Sequence, residues 1–103
     1  MIFRRRFADV IERQLDVFAA DEAALLAEVR DAEQAYNRAD RDRAEERYGD
    51  YVDVVETATE ALADMRDRYS HTLDEVAAEE YETAFNRAVK RRWPPFGLEI
   101  ENR

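Results

Sequence analysis

Residues 44–69 read AEERYGDYVDVVETATEALADMRDRY, and this stretch decides the fold class. Ala44, Tyr48, Tyr51, Val55, Ala58, Leu62, Met65 and Tyr69 recur at alternating steps of four and three. Steps of that kind place all eight on one helical face, at the 3.5-residue period of a coiled-coil-like seam. Gly49 falls on the opposite, solvent-facing side, where it weakens a helix by about 1 kcal/mol relative to alanine without disturbing the seam. One unbroken helix over about residues 41–69 is expected.

Toward the N-terminus the same logic gives a second long helix, over about residues 3–37. Its apolar positions are Phe3, Phe7, Ile11, Leu15, Phe18, Leu25, Val29, Ala32 and Tyr36. Asp21 and Glu22 interrupt this stripe and offer a place for a kink near Ala19-Ala20, but no Gly or Pro enforces one, so a continuous helix is expected. Toward the C-terminus, Thr72 precedes Glu75 by three residues, the spacing of a capping box that satisfies two free amide donors. Leu73, Val76, Ala77, Tyr81, Ala84, Phe85, Ala88 and Val89 then form the apolar face of a third helix, about 73–92. Lys90, Arg91 and Arg92 fill its last turn, where the helix dipole favours cations, and Pro94-Pro95 end it. The remaining tail, 93–103, is expected to be non-helical, yet Trp93, Phe96, Leu98 and Ile100 make it too apolar to be left in water.

The fold class is therefore all-α: an antiparallel three-helix bundle with two long first helices, a non-helical C-terminal tail, and one domain spanning 1–103. At 1.5 Å per residue the helices run roughly 50, 43 and 30 Å. The third is too short to cover the first two, which leaves the start of the first helix and the joined end of the first and second under-covered. The tail is expected to fill the latter through Trp93 and Phe96.

Composition agrees and narrows function. Two Gly and two Pro in 103 residues leave little turn chemistry, and 46% hydrophobic with 40% charged is the balance of amphipathic helices. The absence of cysteine removes disulfides, thiolate nucleophiles and Cys-ligated metals. A net charge of −9 argues against general nucleic-acid binding, which needs a basic face. No apolar run approaches the ~20 residues of a membrane span. The basic, apolar start lacks the uninterrupted apolar stretch of a signal peptide, since Asp9, Glu12, Arg13 and Asp16 break it; the expected location is cytoplasmic. The single histidine, His71, has Arg68, Asp74 and Glu75 at −3, +3 and +4, which forms no His-based metal pair. Acidic pairs such as Glu45-Glu46 and Glu79-Glu80 diverge around their helices and read as solvated faces. No catalytic residue, metal site, cofactor or small-molecule substrate is expected.

Two resemblances follow from these residues. Fifteen Arg against one Lys, with abundant Ala, Asp and Glu, is similar to the short uncharacterised all-helical proteins of high-GC actinobacteria, which implies an all-helical fold and no particular activity. Ala32, Tyr36, Asp40, Ala44 and Tyr48 carry the small, aromatic, turn-acidic, small and aromatic spacing that resembles the inner part of a tetratricopeptide repeat. That likeness implies a close helical hairpin. It covers about twenty residues, departs from the family at Glu28, Asp31 and Tyr51, and lacks the stacked neighbours such repeats need.

The start of the first helix breaks a rule. Arg4, Arg5 and Arg6 occupy a helix N-terminus, where the dipole disfavours cations. They stand among apolar residues spread more widely than one neighbouring helix can cover. Phe3, Arg4, Arg5, Arg6, Phe7, Val10, Ile11, Val17 and Phe18 are accordingly the expected interface of a non-enzymatic protein–protein interaction or self-association module. A homodimer or another protein is the expected partner; binding to an anionic membrane surface through the same segment is the alternative. Charge is unevenly spread: residues 1–20 hold four basic against three acidic, residues 21–80 seven against nineteen, and residues 81–103 five against three. The five tyrosines, all on apolar stripes, fit wet core edges or a tyrosine-rich interface.

Overall fold

The computed structural model describes residues 6–103, and every regular element among them is helical. In place of three helices and an irregular tail there are five α-helices: α1 (Ala8–Asp21), α2 (Ala23–Arg38), α3 (Ala44–Ser70), α4 (Glu75–Arg92) and α5 (Gly97–Glu101), with a 3₁₀ turn at Pro94–Phe96. The helical class stands, while the three-helix description and the non-helical tail are corrected.

The first correction lies at Glu22. Its backbone leaves helical geometry (φ −110°, ψ 31°), ending α1 and opening α2. The bonds from Glu22 N–H to the Phe18 carbonyl (2.8 Å) and from Leu26 N–H to the Glu22 carbonyl (2.9 Å) persist, so the break is one residue wide. Glu22 stands in the stripe between Phe18 and Leu25. At the break its side chain is half-buried, at the edge of a groove lined by Ala61 and Met65 of α3.

The second correction concerns the start of α4. Asp74, not Thr72, is the N-cap: its backbone is extended, and its carboxylate accepts from Ala77 N–H at 2.8 Å. Thr72 serves the other side of the turn, donating its hydroxyl to the Tyr69 carbonyl at 2.6 Å and satisfying the end of α3. The first turn of α3 is set by Asp40, whose carboxylate accepts from Arg43 N–H at 3.1 Å.

The third correction is the tail. Trp93, forced out of the helical region by the proline that follows it, takes φ −133°, ψ 80°. Pro94 and Pro95 then start a new turn, a place where a missing N–H does no harm. The chain folds back so that Phe96 and Ile100 are buried between α3 and α4. Gly97 allows this return: a Cβ there would meet Lys90 Cγ at 2.7 Å.

The order of contacts fixes the topology. Arg6 meets Glu80, Phe7 meets Tyr81, Asp16 meets Arg92 and Phe18 meets Trp93. α1 and α4 therefore run parallel from a shared end, each antiparallel to α3. The core sits in this half: Leu62, Tyr81, Phe85, Val89, Phe96 and Ile100 are all at or near zero exposure. α3 buries two stripes. The seam of Val55, Ala58 and Leu62 is one, and Thr59, Ala63, Arg66 and Ser70, at steps of four, three and four, is the other. The second stripe packs against α4 and α5. Arg66 donates to Asn86 Oδ1 (3.0 Å) and the Ile100 carbonyl (3.2 Å), and Ser70 donates to Glu82.

Beyond Thr59 the molecule is thinner. α2 and the first half of α3 continue as a two-helix arm, with no third helix of the described residues alongside. The overall dimensions are 50 × 24 × 24 Å, with a radius of gyration of 15.4 Å against about 13 Å for a compact chain of this length.

Candidate interaction surface

The residues expected to form an interface do not share one exposed surface. Phe3, Arg4 and Arg5 lie outside the described residues. Phe7, Ile11 and Phe18 are buried in the chain's own core, Val10 is half-buried, and Val17 is exposed. Arg6 pairs with Glu80 at 3.2 Å and lies 5.1 Å from the centre of the Phe7 ring. The start of the first helix is covered by α4, because the two begin at the same end of the bundle. Phe7 packs edge-on against Tyr81, their ring centres 5.4 Å apart.

The tail does not fill the open end. Trp93 stops against Phe18, ring centres 5.6 Å apart, and Phe96 turns back into the core. What remains uncovered is the arm. The second stripe of α3 shows where cover ends: Thr59 is fully buried, Val52 one helical heptad earlier is half-buried, and Tyr48 is 51% exposed.

Three tyrosines gather on the arm. The ring centres of Tyr36 and Tyr48 are 5.2 Å apart, and Tyr36 stacks on Tyr51 at 6.5 Å with planes 8° apart. They meet because α2 and α3 are antiparallel and their stripes face each other across the 39–43 turn, with small Ala32 and Ala44 beside them. Burial, and then the Glu33 carboxylate beside it, push the Tyr51 phenol above its ordinary range. Its proton is thus held firmly as a donor, while Tyr36 and Tyr48 present ring and hydroxyl to solvent. Aromatic surface with a polar tip is the chemistry enriched at protein interfaces.

The remaining chemistry-bearing groups have structural roles. Tyr81 is fully buried, donates to Gln14 Oε1 at 2.7 Å, and has its pKa pushed up to about 12, chiefly by burial. His71 is exposed at the end of α3. Among the described residues, no three His, Asp or Glu side chains are grouped to hold a metal ion, and no helix is long and apolar enough to cross a membrane.

The arm is the joined end of the first two helices, the stretch that the helix lengths leave under-covered, and the tail expected to fill it turns back into the core instead. No family model matches the chain, and no curated protein or solved structure is significantly similar to it.

Proposed function

We propose that this chain is a non-enzymatic helical module of the cytoplasm that works by protein–protein contact, in the first instance with itself. The observation that carries the reading is the two-helix arm, which no third helix of the described residues covers and which bears the exposed Tyr36–Tyr48 pair. A monomer of 12.1 kDa ordinarily exposes about 6,000 Å²; this one exposes 7311 Å². Membrane-surface binding through the start of the first helix has less to draw on, since Phe7 and Ile11 are committed to the core. Sedimentation equilibrium at tens of micromolar tests the proposal: a dimer supports self-association, and a single species of monomer mass overturns it.

A further inference from the structure

We infer that the partner is a second copy docked arm against arm in antiparallel orientation, so that the tip of each arm lies over the base of the other. This inference rests on the self-association reading and adds the surface and the orientation. Where α4 and α5 stop, the second stripe of α3 continues through half-buried Val52 and exposed Tyr48. Another copy's arm has the right form to continue it. It is a two-helix unit of similar length, about 24 Å at 1.5 Å per residue, with the same apolar and aromatic stripe. Pairing two such arms completes a four-helix bundle, and a two-fold axis makes the contact self-complementary.

Charge sets the orientation. The base of the arm is strongly acidic: residues 21–31 and 56–64 together hold seven Asp or Glu against the single Arg30. The tip, residues 38–47, balances four Arg against four acidic residues. Of these, Asp40 is engaged in the turn that starts α3. Arg38, Arg41 and Arg43 enter no ion pair among the described residues, and neither do Glu28, Glu56 or Glu60. A parallel pairing sets acidic base on acidic base. The antiparallel pairing brings free guanidinium groups over free carboxylates at both ends.

The test is a charge exchange between copies. The tip variant carries Arg38→Glu, Arg41→Glu and Arg43→Glu; the base variant carries Glu28→Arg, Glu56→Arg and Glu60→Arg. These positions are exposed or at the helix termini, and circular dichroism verifies that helical content is retained. Each variant alone is expected to dissociate at least about tenfold more readily than the natural chain. An equimolar mixture is expected to recover a dimer, seen in native mass spectrometry as the mixed species, because reversed tip then meets reversed base at one end and natural tip meets natural base at the other. A dimer of the natural chain with no recovery in the mixture overturns the antiparallel arm pairing and leaves self-association standing. A natural chain that is monomeric in the same experiment overturns both.

Discussion

Arg66 offers the sharpest test of how the C-terminal segment is held. Its side chain is 4% exposed and donates to three acceptors: Asp67 at 2.8 Å, Asn86 at 3.0 Å and the Ile100 carbonyl at 3.2 Å. Asp67 is about half exposed, so water replaces that bond at little loss. The other two are buried or partly buried, and a bond from a charged donor contributes about 1.5–3 kcal/mol. Arg66→Ala also removes the aliphatic stem packed between α3 and α5. Against these losses stands relief from holding a guanidinium away from water, worth several kcal/mol. The balance is a net destabilisation of about 2–4 kcal/mol, or a fall in melting temperature of roughly 9–18 °C for a domain of this size. Arg66→Met keeps the stem without the buried charge and should lose less than Arg66→Ala. Because α5 has only five residues, the loss should also be local. Amide exchange at Ile100 to Asn102 should quicken more than in the core of α3. Combining Arg66→Ala with Ile100→Ala should be non-additive by more than about 0.5 kcal/mol, as for residues that share one contact. If Arg66→Ala changes chemical-denaturation stability by less than about 0.5 kcal/mol, the network is replaceable by water and the tail is held by Phe96 and Ile100 alone.

Three further outcomes are expected. Leu62→Ala, at a fully buried seam position, should lower stability by about 2–5 kcal/mol; a urea titration showing under half a kcal/mol would place the seam outside the core. The Tyr81 phenol, whose pKa rises from 10.0 to about 12 on folding, releases its proton more readily when unfolded. Its contribution is thus complete below pH 10 and should disappear as pH rises through about 12, a loss of about 2–3 kcal/mol that Tyr81→Phe should largely abolish; an unchanged alkaline slope in that variant would refute the assignment. Truncation after Arg92 should lower the melting temperature and create binding of an apolar dye, since it bares Thr59, Ala63 and Arg66 to water; unchanged melting would mean that the tail is not needed to cover them.

The three- and four-residue steps made the helices legible, and they located the seam from Val55 to Leu62 without any structural information. Where the sequence misled, tertiary geometry decided between local options that the residues alone left open. Thr72 and Asp74 are both good caps, and the turn after Ser70 put the carboxylate of Asp74, rather than the Thr72 hydroxyl, in reach of a free amide. The Pro94-Pro95 pair marks the end of α4 and equally permits the start of a 3₁₀ turn, a difference decided by the open groove into which Phe96 and Ile100 fall. The second buried stripe of α3 was hidden because Thr59, Arg66 and Ser70 are polar, and polar residues beside a clean apolar seam suggest solvent. Their regular spacing around the small Ala63 was the available signal. At the start of the first helix, comparing lengths alone suggests bare surface; the antiparallel order already makes the first and third helices parallel, and their alignment sets Phe7 against Tyr81.

One inequality of length, α1 and α2 together running well beyond α4, then accounts for both halves of the molecule. Where α1, α3, α4 and α5 lie together, the largest side chains reach zero exposure, and the polar groups that enter are hydrogen-bonded; no buried side-chain donor or acceptor lacks a partner among the described residues. Where only α2 and α3 remain, Val29 and Val55 are buried, while Leu25, Leu26 and Tyr51 are merely half-covered. A helix of the length of α2 is marginal on its own in water, and two helices in contact along a single seam bury too little to match the bundle half. The arm should therefore open at a lower free energy than the bundle. A partner along the uncovered stripe would supply the missing apolar contact and hold Tyr36 and Tyr48 in place. Binding there and ordering of the arm would be one coupled event. The apolar surface that makes the arm the weakest part of the fold is thus the surface that gives a second chain something to bind.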